Sequence, residues 1–394
     1  MLYSLYEAQH AALAPWRYWA EFSRGWFGHP FSPFMYLPHA RRVAASSDLF
    51  LRLTGRYEKP AWNIAGVEPE VALERPFCNL VHFKQPVAKK KKVLLVAPLS
   101  GHHATLLHDT VRAFLAEHEV WITDWVDARM VPLAAGPFHL DDYVGYVQDW
   151  IRFLGEDLHV VSVCQPTVPV LAAISLLSFN KEIVPKTMVM MGGPIDARRS
   201  PTAVNNLARR KPYSWFEQNL IHRVPPKYPG CMRRVYPGFL QHLGFVAMNP
   251  DRHLIAHWDY YHRLVQGDGE SASAHRRFYN EYNAVLDMPA EYYLDTVKTV
   301  FQDYALPKGR MFVRGELVRP QAIRKTALLT IEGELDDISG NGQTEAAHAL
   351  CLNIPRGLRE HFVAPGVGHY GIFSGRRWRE VVFPRVRDFI ANYS

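Results

Sequence analysis

Between residues 76 and 197, short apolar runs rich in β-branched side chains alternate with stretches whose apolar residues recur at helical spacing. The helical stretches lie at residues 104–117, 141–154 and 167–179. Alternation of this kind predicts an α/β architecture, in which helices cover both faces of a mostly parallel sheet. The candidate strands are residues 81–84, 93–97, 120–124, 158–163 and 187–191.

The alternation is interrupted once and then resumes. Residues 198–324 show only helical patches, after which strand patterns return at 327–331 and 358–363. A long helical insertion after one strand of a parallel sheet is the layout of an α/β-hydrolase with a cap. The predicted domains are an N-terminal helical extension rich in aromatic residues (1–75), an α/β-hydrolase core (76–197 and 325–394) and a helical cap (198–324).

One cysteine lies where a predicted strand passes directly into a predicted helix. Three residues, Cys164, Gln165 and Pro166, separate the strand pattern of 158–163 from the helical pattern of 167–179. Such a bend holds its first residue in a strained conformation with the side chain exposed, as in the G-x-S-x-G nucleophile elbow. Here the segment is Ser-Val-Cys-Gln-Pro. It predicts a sulfur nucleophile at Cys164 and replaces both glycines of the motif.

Two later strand ends supply residues that would activate this thiol. In the hydrolase fold the acid follows the nucleophile along the chain, and the histidine comes last. The strand at 327–331 leads to Asp336 and Asp337, and the strand at 358–363 leads to His369. We expect His369 to accept the thiol proton and an aspartate to fix the histidine tautomer. Asp336 is favoured over Asp337 because it lies three residues after Gly333, the glycine at the strand end.

The predicted oxyanion hole consists of two backbone N–H groups. One is that of Gln165, directly after the nucleophile, and the other comes from the first loop between a strand and a helix. In that loop Leu99 is the best placed donor and Ser100 is the next. Pro166 is tolerated because a proline in the first turn of a helix gives up an N–H that has no partner there.

Composition and charge argue against several other classes of protein. The four cysteines are widely scattered, which fits neither a disulfide framework nor a zinc knuckle, and free thiols suit a reducing compartment. The formal net charge is +7, but no nucleic-acid-binding module accompanies it, so we expect no nucleic-acid partner. The uncharged stretch 160–180 is interrupted by Pro166 and Pro169 and begins as a β-branched strand. We therefore expect no membrane span.

Two histidine pairs raise the question of a metal. His102 and His103 have no carboxylate or cysteine at ligand spacing. His253 and His257 are four residues apart on a predicted helix but lack the glutamate of the H-E-x-x-H motif. We therefore expect neither a metal nor any other cofactor.

Four segments together resemble the intracellular poly(3-hydroxybutyrate) depolymerases. They are HVVSVCQPT (159–167), APLSGHHAT (97–105), EGELDDISG (332–340) and GHYG (368–371). The resemblance implies a cytoplasmic enzyme at storage granules, with amorphous polyester as its substrate. It also implies cleavage to 3-hydroxybutyrate oligomers and monomer through a thioester, with Cys164, Asp336 and His369 as the triad.

Three other functions remain open from the sequence. A polyhydroxyalkanoate synthase also resembles this fold and uses Cys-Asp-His, but it carries a glycine where this chain has Pro166. A general cysteine-dependent esterase would use the same triad on small acyl esters. A granule-binding protein without activity would not need the ordered set of three strand ends. Coenzyme A stays open as an acyl acceptor in place of water.

Overall fold

The computed structural model describes residues 2–29, 31–37, 39–87, 89, 91–248 and 250–393. In chain order its strands are β1 (Glu68–Leu73), β2 (Cys78–Lys84), β3 (Lys92–Val96), β4 (Glu119–Trp125), β5 (Leu158–Val163), β6 (Thr187–Met191), β7 (His222–Arg223), β8 (Arg234–Tyr236), β9 (Met288–Pro289), β10 (Phe312–Val313), β11 (Glu316–Leu317), β12 (Ala327–Gly333) and β13 (Arg359–Ala364).

The helices flank the strands and fill the segments between them. In chain order they are α1 (Leu2–Gly28), α2 (Ala40–Thr54), α3 (His108–Phe114), α4 (Leu140–Leu154), α5 (Thr167–Phe179), α6 (Ala203–Arg210), α7 (Tyr213–Leu220), α8 (Gly238–Met248), α9 (Pro250–Gln266), α10 (Gly269–Asn283), α11 (Ala290–Thr296), α12 (Ala347–Leu350), α13 (Gly375–Arg377) and α14 (Phe383–Asn392).

An eight-stranded sheet has the order β1-β2-β4-β3-β5-β6-β12-β13. The strands from β4 to β13 in that order are parallel, and β2 runs antiparallel to both β1 and β4. This topology is that of the α/β-hydrolase fold and confirms the fold class predicted from the sequence. Every residue of β5, β6 and β12 is buried, because helices cover both faces of the sheet.

The edge strand β1 differs from the predicted helical extension. It lies within residues 1–75, yet it pairs with β2, so the sheet begins before the predicted boundary. Its first four residues are exposed and include Glu68, Pro69 and Glu70. An edge strand with one solvated face carries charged residues and proline. These features hide it from a search for apolar runs.

The N-terminal extension packs on the cap. Helix α1 packs on α2, and α2 packs on α9. Near the start of α1, the Tyr3 hydroxyl donates a 3.0 Å hydrogen bond to Asp287. Among the described residues, no helix is both long and apolar enough to cross a membrane.

The predicted cap segment, residues 198–324, shares a cavity with residues that follow the carboxyl ends of β3, β5 and β12. It contains helices α6 to α11, and β7, β8 and β9 form a small sheet of their own. A bridge between His102 and Val285 joins it to the loop after β3. The N–H of Leu286 reinforces this junction by donating to the Gly101 carbonyl at 2.7 Å. The cap is therefore hydrogen-bonded to the loop that was predicted to supply an oxyanion donor.

Candidate active site

Cys164 lies at a sharp bend between β5 and α5. Its backbone has φ of 68°, in the left-handed region that non-glycine residues rarely adopt. The Cys164 N–H donates to the Met191 carbonyl of the neighbouring strand at 2.7 Å, which fixes the strand side of the bend. On the other side, Pro166 has helical dihedral angles and its carbonyl accepts from Val170 at 2.9 Å. The result is a strained bend of the kind that presents a nucleophile.

Two glycines after β6 make room for this bend. A Cβ atom on Gly193 would lie 1.9 Å from Thr167 Oγ1 and 2.5 Å from the Cys164 carbonyl oxygen. Gly192 has φ of 56°, and a Cβ there would lie 2.6 Å from Ile372. The elbow lacks both glycines of its own motif. Gly192 and Gly193, at the end of the neighbouring strand β6, provide the space that the motif glycines usually provide.

His369 and Asp336 form a buried pair beside the elbow. Nδ1 of His369 lies 2.7 Å from Oδ2 of Asp336, and both side chains are almost fully buried. The other carboxylate oxygen of Asp336 accepts hydrogen bonds from the N–H groups of Ile338, at 2.9 Å, and Ser339, at 2.8 Å. The structure therefore joins His369 to Asp336, whereas Asp337 is exposed.

A second buried carboxylate holds the loop that carries Asp336. The Glu332 side chain accepts from the N–H groups of Gly342 and Thr344, each at 2.7 Å, and from that of Glu345 at 3.0 Å. These three bonds tie the far end of the loop, at residues 342–345, to the last residues of β12. Asp336 is thus held in place by backbone geometry as well as by its own hydrogen bonds.

The electrostatics of the pair favour a charged histidine. Burial lowers the pKa of His369, but the negative charges of Asp336 and Cys164 and hydrogen bonds to both groups outweigh it. The pKa of His369 is therefore raised well above its usual value. An imidazolium beside a sulfur stabilises the thiolate, which is the reactive form of cysteine. Cys164 lies three residues before the first residue of α5, and the partial positive charge at the N-terminus of a helix acts in the same direction.

Gln165 and Leu99, whose backbone N–H groups are the predicted oxyanion donors, line the same cavity as Cys164. Both residues are buried. Neither N–H donates to an acceptor within the described part of the chain. Two free N–H groups beside a nucleophile are the arrangement that stabilises an oxyanion.

A cavity of about 670 Å³ opens onto Cys164. The core supplies Leu99, Gln165 and His369 to its wall, and the cap supplies the opposite side. The cap residues are predominantly apolar or aromatic, and they include Val204, Leu207, Phe216, Phe245, Met288, Tyr292, Val297 and Phe301. A pocket of this size and composition suits an apolar small molecule or a short stretch of an uncharged polymer.

One histidine of each candidate metal pair makes packing contacts. His102 stacks on Phe245 and shares a 3.1 Å hydrogen bond with the Tyr282 carbonyl. Both ring nitrogens of His253 are occupied, by the hydroxyls of Tyr279 and Tyr282. No group of three or more potential metal ligands gathers anywhere in the ranges that the structure describes.

The structure brings together all five residues that the sequence singled out: Cys164, Asp336, His369, Gln165 and Leu99. It also contains site residues that the sequence reasoning missed. Gly193 and Glu332 shape the site, and Tyr292 reaches the cavity from the cap. The paired glycines at the end of a predicted strand were a readable signal of close packing. Nothing in the sequence marks Tyr292 among its many aromatic neighbours.

Solved structures with a similar chain path include esterases and lipases of low sequence identity. An esterase from Thermogutta terrifontis has 12% identity and a TM-score of 0.44, and the match covers 84% of this chain and 100% of that one. The carboxylesterase CesB from Bacillus subtilis has 11% identity and a TM-score of 0.44, with coverage of 89% and 99%. A monoacylglycerol lipase from Paleococcus ferrophilus has 12% identity and a TM-score of 0.44, with coverage of 78% and 96%.

Sequence comparison identifies the family. No curated protein sequence matches the chain significantly. The family described as "PHB de-polymerase C-terminus" matches residues 192–394, which include the cap, Asp336 and His369. This finding confirms the family resemblance inferred from the four sequence segments and supports hydrolysis of ester bonds. The chain therefore belongs to the PHB de-polymerase family.

Proposed function

We propose that this protein hydrolyses the ester bonds of amorphous poly(3-hydroxybutyrate) through a thioester on Cys164. The observation that carries the proposal is the strained bend at Cys164, which places its thiol against the buried pair of His369 and Asp336. Membership of the depolymerase family supports the choice of polyester as substrate. The products would be 3-hydroxybutyrate and its short oligomers.

The first half of the reaction forms the acyl-enzyme. The thiol proton of Cys164 passes to Nε2 of His369 before the attack, the resulting thiolate bonds to the ester carbonyl carbon, and the carbonyl oxygen becomes an oxyanion. The N–H groups of Gln165 and Leu99 bind that oxyanion. When the carbon–oxygen bond breaks, His369 gives its proton to the departing alkoxide, which leaves as the hydroxyl end of the cleaved chain. Asp336 stabilises the imidazolium throughout.

The second half releases the acid. Water attacks the thioester carbonyl while Nε2 of His369 takes a proton from it. The carbon–sulfur bond then breaks, and His369 returns the proton to the sulfur of Cys164. The product is a free carboxylic acid. Coenzyme A thiol in place of water would yield an acyl-CoA by the same steps.

Exposed apolar side chains support action at a hydrophobic surface, and we place the protein at polyester granules in the cytoplasm. Helix α9 borders a second cavity, which His369 also lines, through His253 and Ala256, and it exposes Leu254, Ile255 and Trp258 to solvent. Single exposed apolar residues are ordinary, but several on one helix that also borders a cavity suit an apolar substrate surface. Further exposed aromatic residues lie along α1: Trp16, Tyr18, Trp19, Phe22 and Trp26. The four unpaired cysteines suit a reducing compartment.

Incubation of the full chain with amorphous polymer granules tests the proposed activity. Soluble 3-hydroxybutyrate should appear with the wild-type protein and fall to background with Cys164→Ala. The control is Cys231→Ala, which removes another partly exposed thiol and should retain the activity.

Each competing function predicts a different result in this assay. No release, together with polymer growth from 3-hydroxybutyryl-CoA, would indicate a synthase. Hydrolysis of short-chain esters without release from granules would indicate a general esterase. Granule binding with neither reaction would indicate a binding protein.

A further inference from the structure

A second cavity, of about 740 Å³, adjoins the cavity that contains Cys164. Cys164, Gln165 and Leu99 line the first cavity but not the second, so the first one, called the acyl cavity below, would hold the acyl group and its oxyanion. Five residues line both: Phe245, Met248, Ile338, His369 and Tyr370. The two cavities are therefore neighbours, and His369 belongs to both.

The proposed reaction needs a place for the alcohol fragment beside His369. When the acyl-enzyme forms, His369 gives its proton to the departing alkoxide, so the alcohol fragment is in contact with the imidazole at that moment. The acyl fragment stays on Cys164 in the acyl cavity. The second cavity reaches His369 without reaching Cys164, so it has room for the alcohol fragment while the acyl cavity is filled.

The two cavities differ in charge. Within the described part of the chain, the wall of the acyl cavity contains no aspartate, glutamate, lysine or arginine. The second cavity is lined by Arg252, Arg263, Asp259 and Asp337. Asp259 and Arg263 are four residues apart on α9, a spacing at which opposite charges offset each other. Arg252 is exposed and forms no hydrogen bond or ion pair with a described residue.

The charge of Arg252 reaches the part of the cavity that carries His369. Burial raises the pKa of Tyr282 and of Tyr370, and the positive charge of Arg252 partly offsets this effect at both phenols. The ring centroids of Tyr282 and Tyr370 are 6.1 Å apart, and those of Tyr370 and His369 are 5.9 Å apart. Arg252 is therefore close enough to act on a charged fragment bound beside His369.

The alcohol fragment of the proposed substrate always ends in an acid. In a linear chain of 3-hydroxyacyl units, the ester oxygen belongs to the unit on the side of the carboxyl end. Cleavage therefore releases an alcohol fragment with a terminal carboxyl group, whichever ester bond is cut. In a short oligomer this group is only one or two units from the departing oxygen. It is ionised at neutral pH and suits a cavity that offers a cation.

We infer that the second cavity holds the alcohol fragment of the cleaved ester and that Arg252 binds the carboxylate at the end of that fragment. The inference rests on the proposed function and adds a substrate class to it, the short linear oligomers with a free acid end. A guanidinium binds a carboxylate through two parallel hydrogen bonds. The interior of a long polymer chain offers no carboxylate, so Arg252 should matter for oligomers and not for long chains.

Two linear trimers of 3-hydroxybutyrate test the inference. One has a free carboxylate, and the other has a primary amide in its place, which is similar in size but uncharged. The ratio of their kcat/KM values, acid over amide, reports the carboxylate contact and cancels effects common to both substrates. We expect Arg252→Gln to lower this ratio about fivefold, the effect of an ion pair that is partly exposed to solvent. Arg252→Glu should lower it further, because it replaces attraction by repulsion.

A second arginine of the cap provides the control. Arg277 is exposed on α10 and lines neither cavity, so Arg277→Gln should keep the wild-type ratio. Salt provides a readout that a structural role would not move. Raising the ionic strength from about 0.05 M to about 0.5 M should lower the wild-type ratio and leave that of Arg252→Gln nearly unchanged, because salt screens exposed charges.

The outcomes separate the inference from the function on which it rests. An unchanged ratio in Arg252→Gln, in a variant that hydrolyses both trimers, overturns the carboxylate site and leaves the proposed function standing. An equal loss of activity on both trimers assigns Arg252 to the structure of the cap and also overturns the site. A wild-type ratio of one or less has the same consequence. If the wild-type protein hydrolyses neither the trimers nor the polymer, the proposed function fails and the inference fails with it.

Discussion

Replacement of Asp336 by asparagine should leave the fold intact and remove most of the activity. The N–H groups of Ile338 and Ser339 donate to one carboxylate oxygen, at 2.9 and 2.8 Å, and would keep the amide oxygen at that position. The amide NH₂ group would then face His369 Nδ1, which now lies 2.7 Å from the second carboxylate oxygen. Nδ1 would have to accept a hydrogen bond, so the ring proton would move to Nε2. In that tautomer Nε2 cannot take the thiol proton of Cys164.

The expected loss is large. A catalytic histidine held in the wrong tautomer costs about 10⁴-fold in kcat, or about 5.5 kcal/mol of transition-state stabilisation. The assay is release of 3-hydroxybutyrate from amorphous granules, with thermal unfolding as the check on folding. Asp337→Asn is the matched control, because it changes the adjacent, exposed carboxylate. A loss of less than about tenfold in Asp336→Asn, or a larger loss in Asp337→Asn, would refute the assignment of the acid.

Three further predictions follow from the structure. Gly193→Ala should lower the free energy of unfolding by about 3 kcal/mol or more in a denaturant titration, because its Cβ would lie 1.9 Å from Thr167 Oγ1; an unchanged midpoint would contradict the close approach. Iodoacetamide should inactivate wild type and Cys231→Ser at the same rate, with the label on Cys164 in peptide maps; resistance of Cys231→Ser would contradict this. Burial and repulsion from a neighbouring carboxylate raise the pKa of Asp127 to about 7, so the folded state holds a proton that the unfolded chain loses near pH 4. The free energy of unfolding of the wild type should therefore fall as the pH rises from 4 to 7. Asp127→Asn should be more stable than the wild type at pH 8, by on the order of 2 kcal/mol, but not at pH 4. If the unfolding free energies of the wild type and the variant have the same pH slope, the pKa shift of Asp127 is contradicted.

The central part of the fold could be predicted because its strands are buried on both faces. Such strands appear in the sequence as short apolar runs, and the predicted ranges 158–163 and 187–191 coincide with β5 and β6. Strand β1 could not be found in this way. It lies at the edge of the sheet, with charged side chains and a proline in place of an apolar pattern.

The site was predictable to the extent that it depends on strand ends. The carboxyl ends of parallel strands meet at one edge of the sheet, so Cys164, Asp336 and His369 could be placed together from their order in the chain. The choice between Asp336 and Asp337 depends on how a loop is anchored, and that anchor is the buried Glu332 carboxylate. The position of Tyr292 depends on how the cap packs on the core. The local sequence specifies neither contact.

Mass spectrometry of the acyl-enzyme tests the cysteine mechanism most directly. The wild-type protein is mixed with the 4-nitrophenyl ester of 3-hydroxybutyrate, quenched in acid within one turnover and digested for peptide mapping. We predict a 3-hydroxybutyryl adduct on the peptide that contains Cys164, labile to hydroxylamine as a thioester is and absent from Cys164→Ala. An adduct on a serine such as Ser100, or turnover that persists in Cys164→Ala, would contradict the cysteine mechanism.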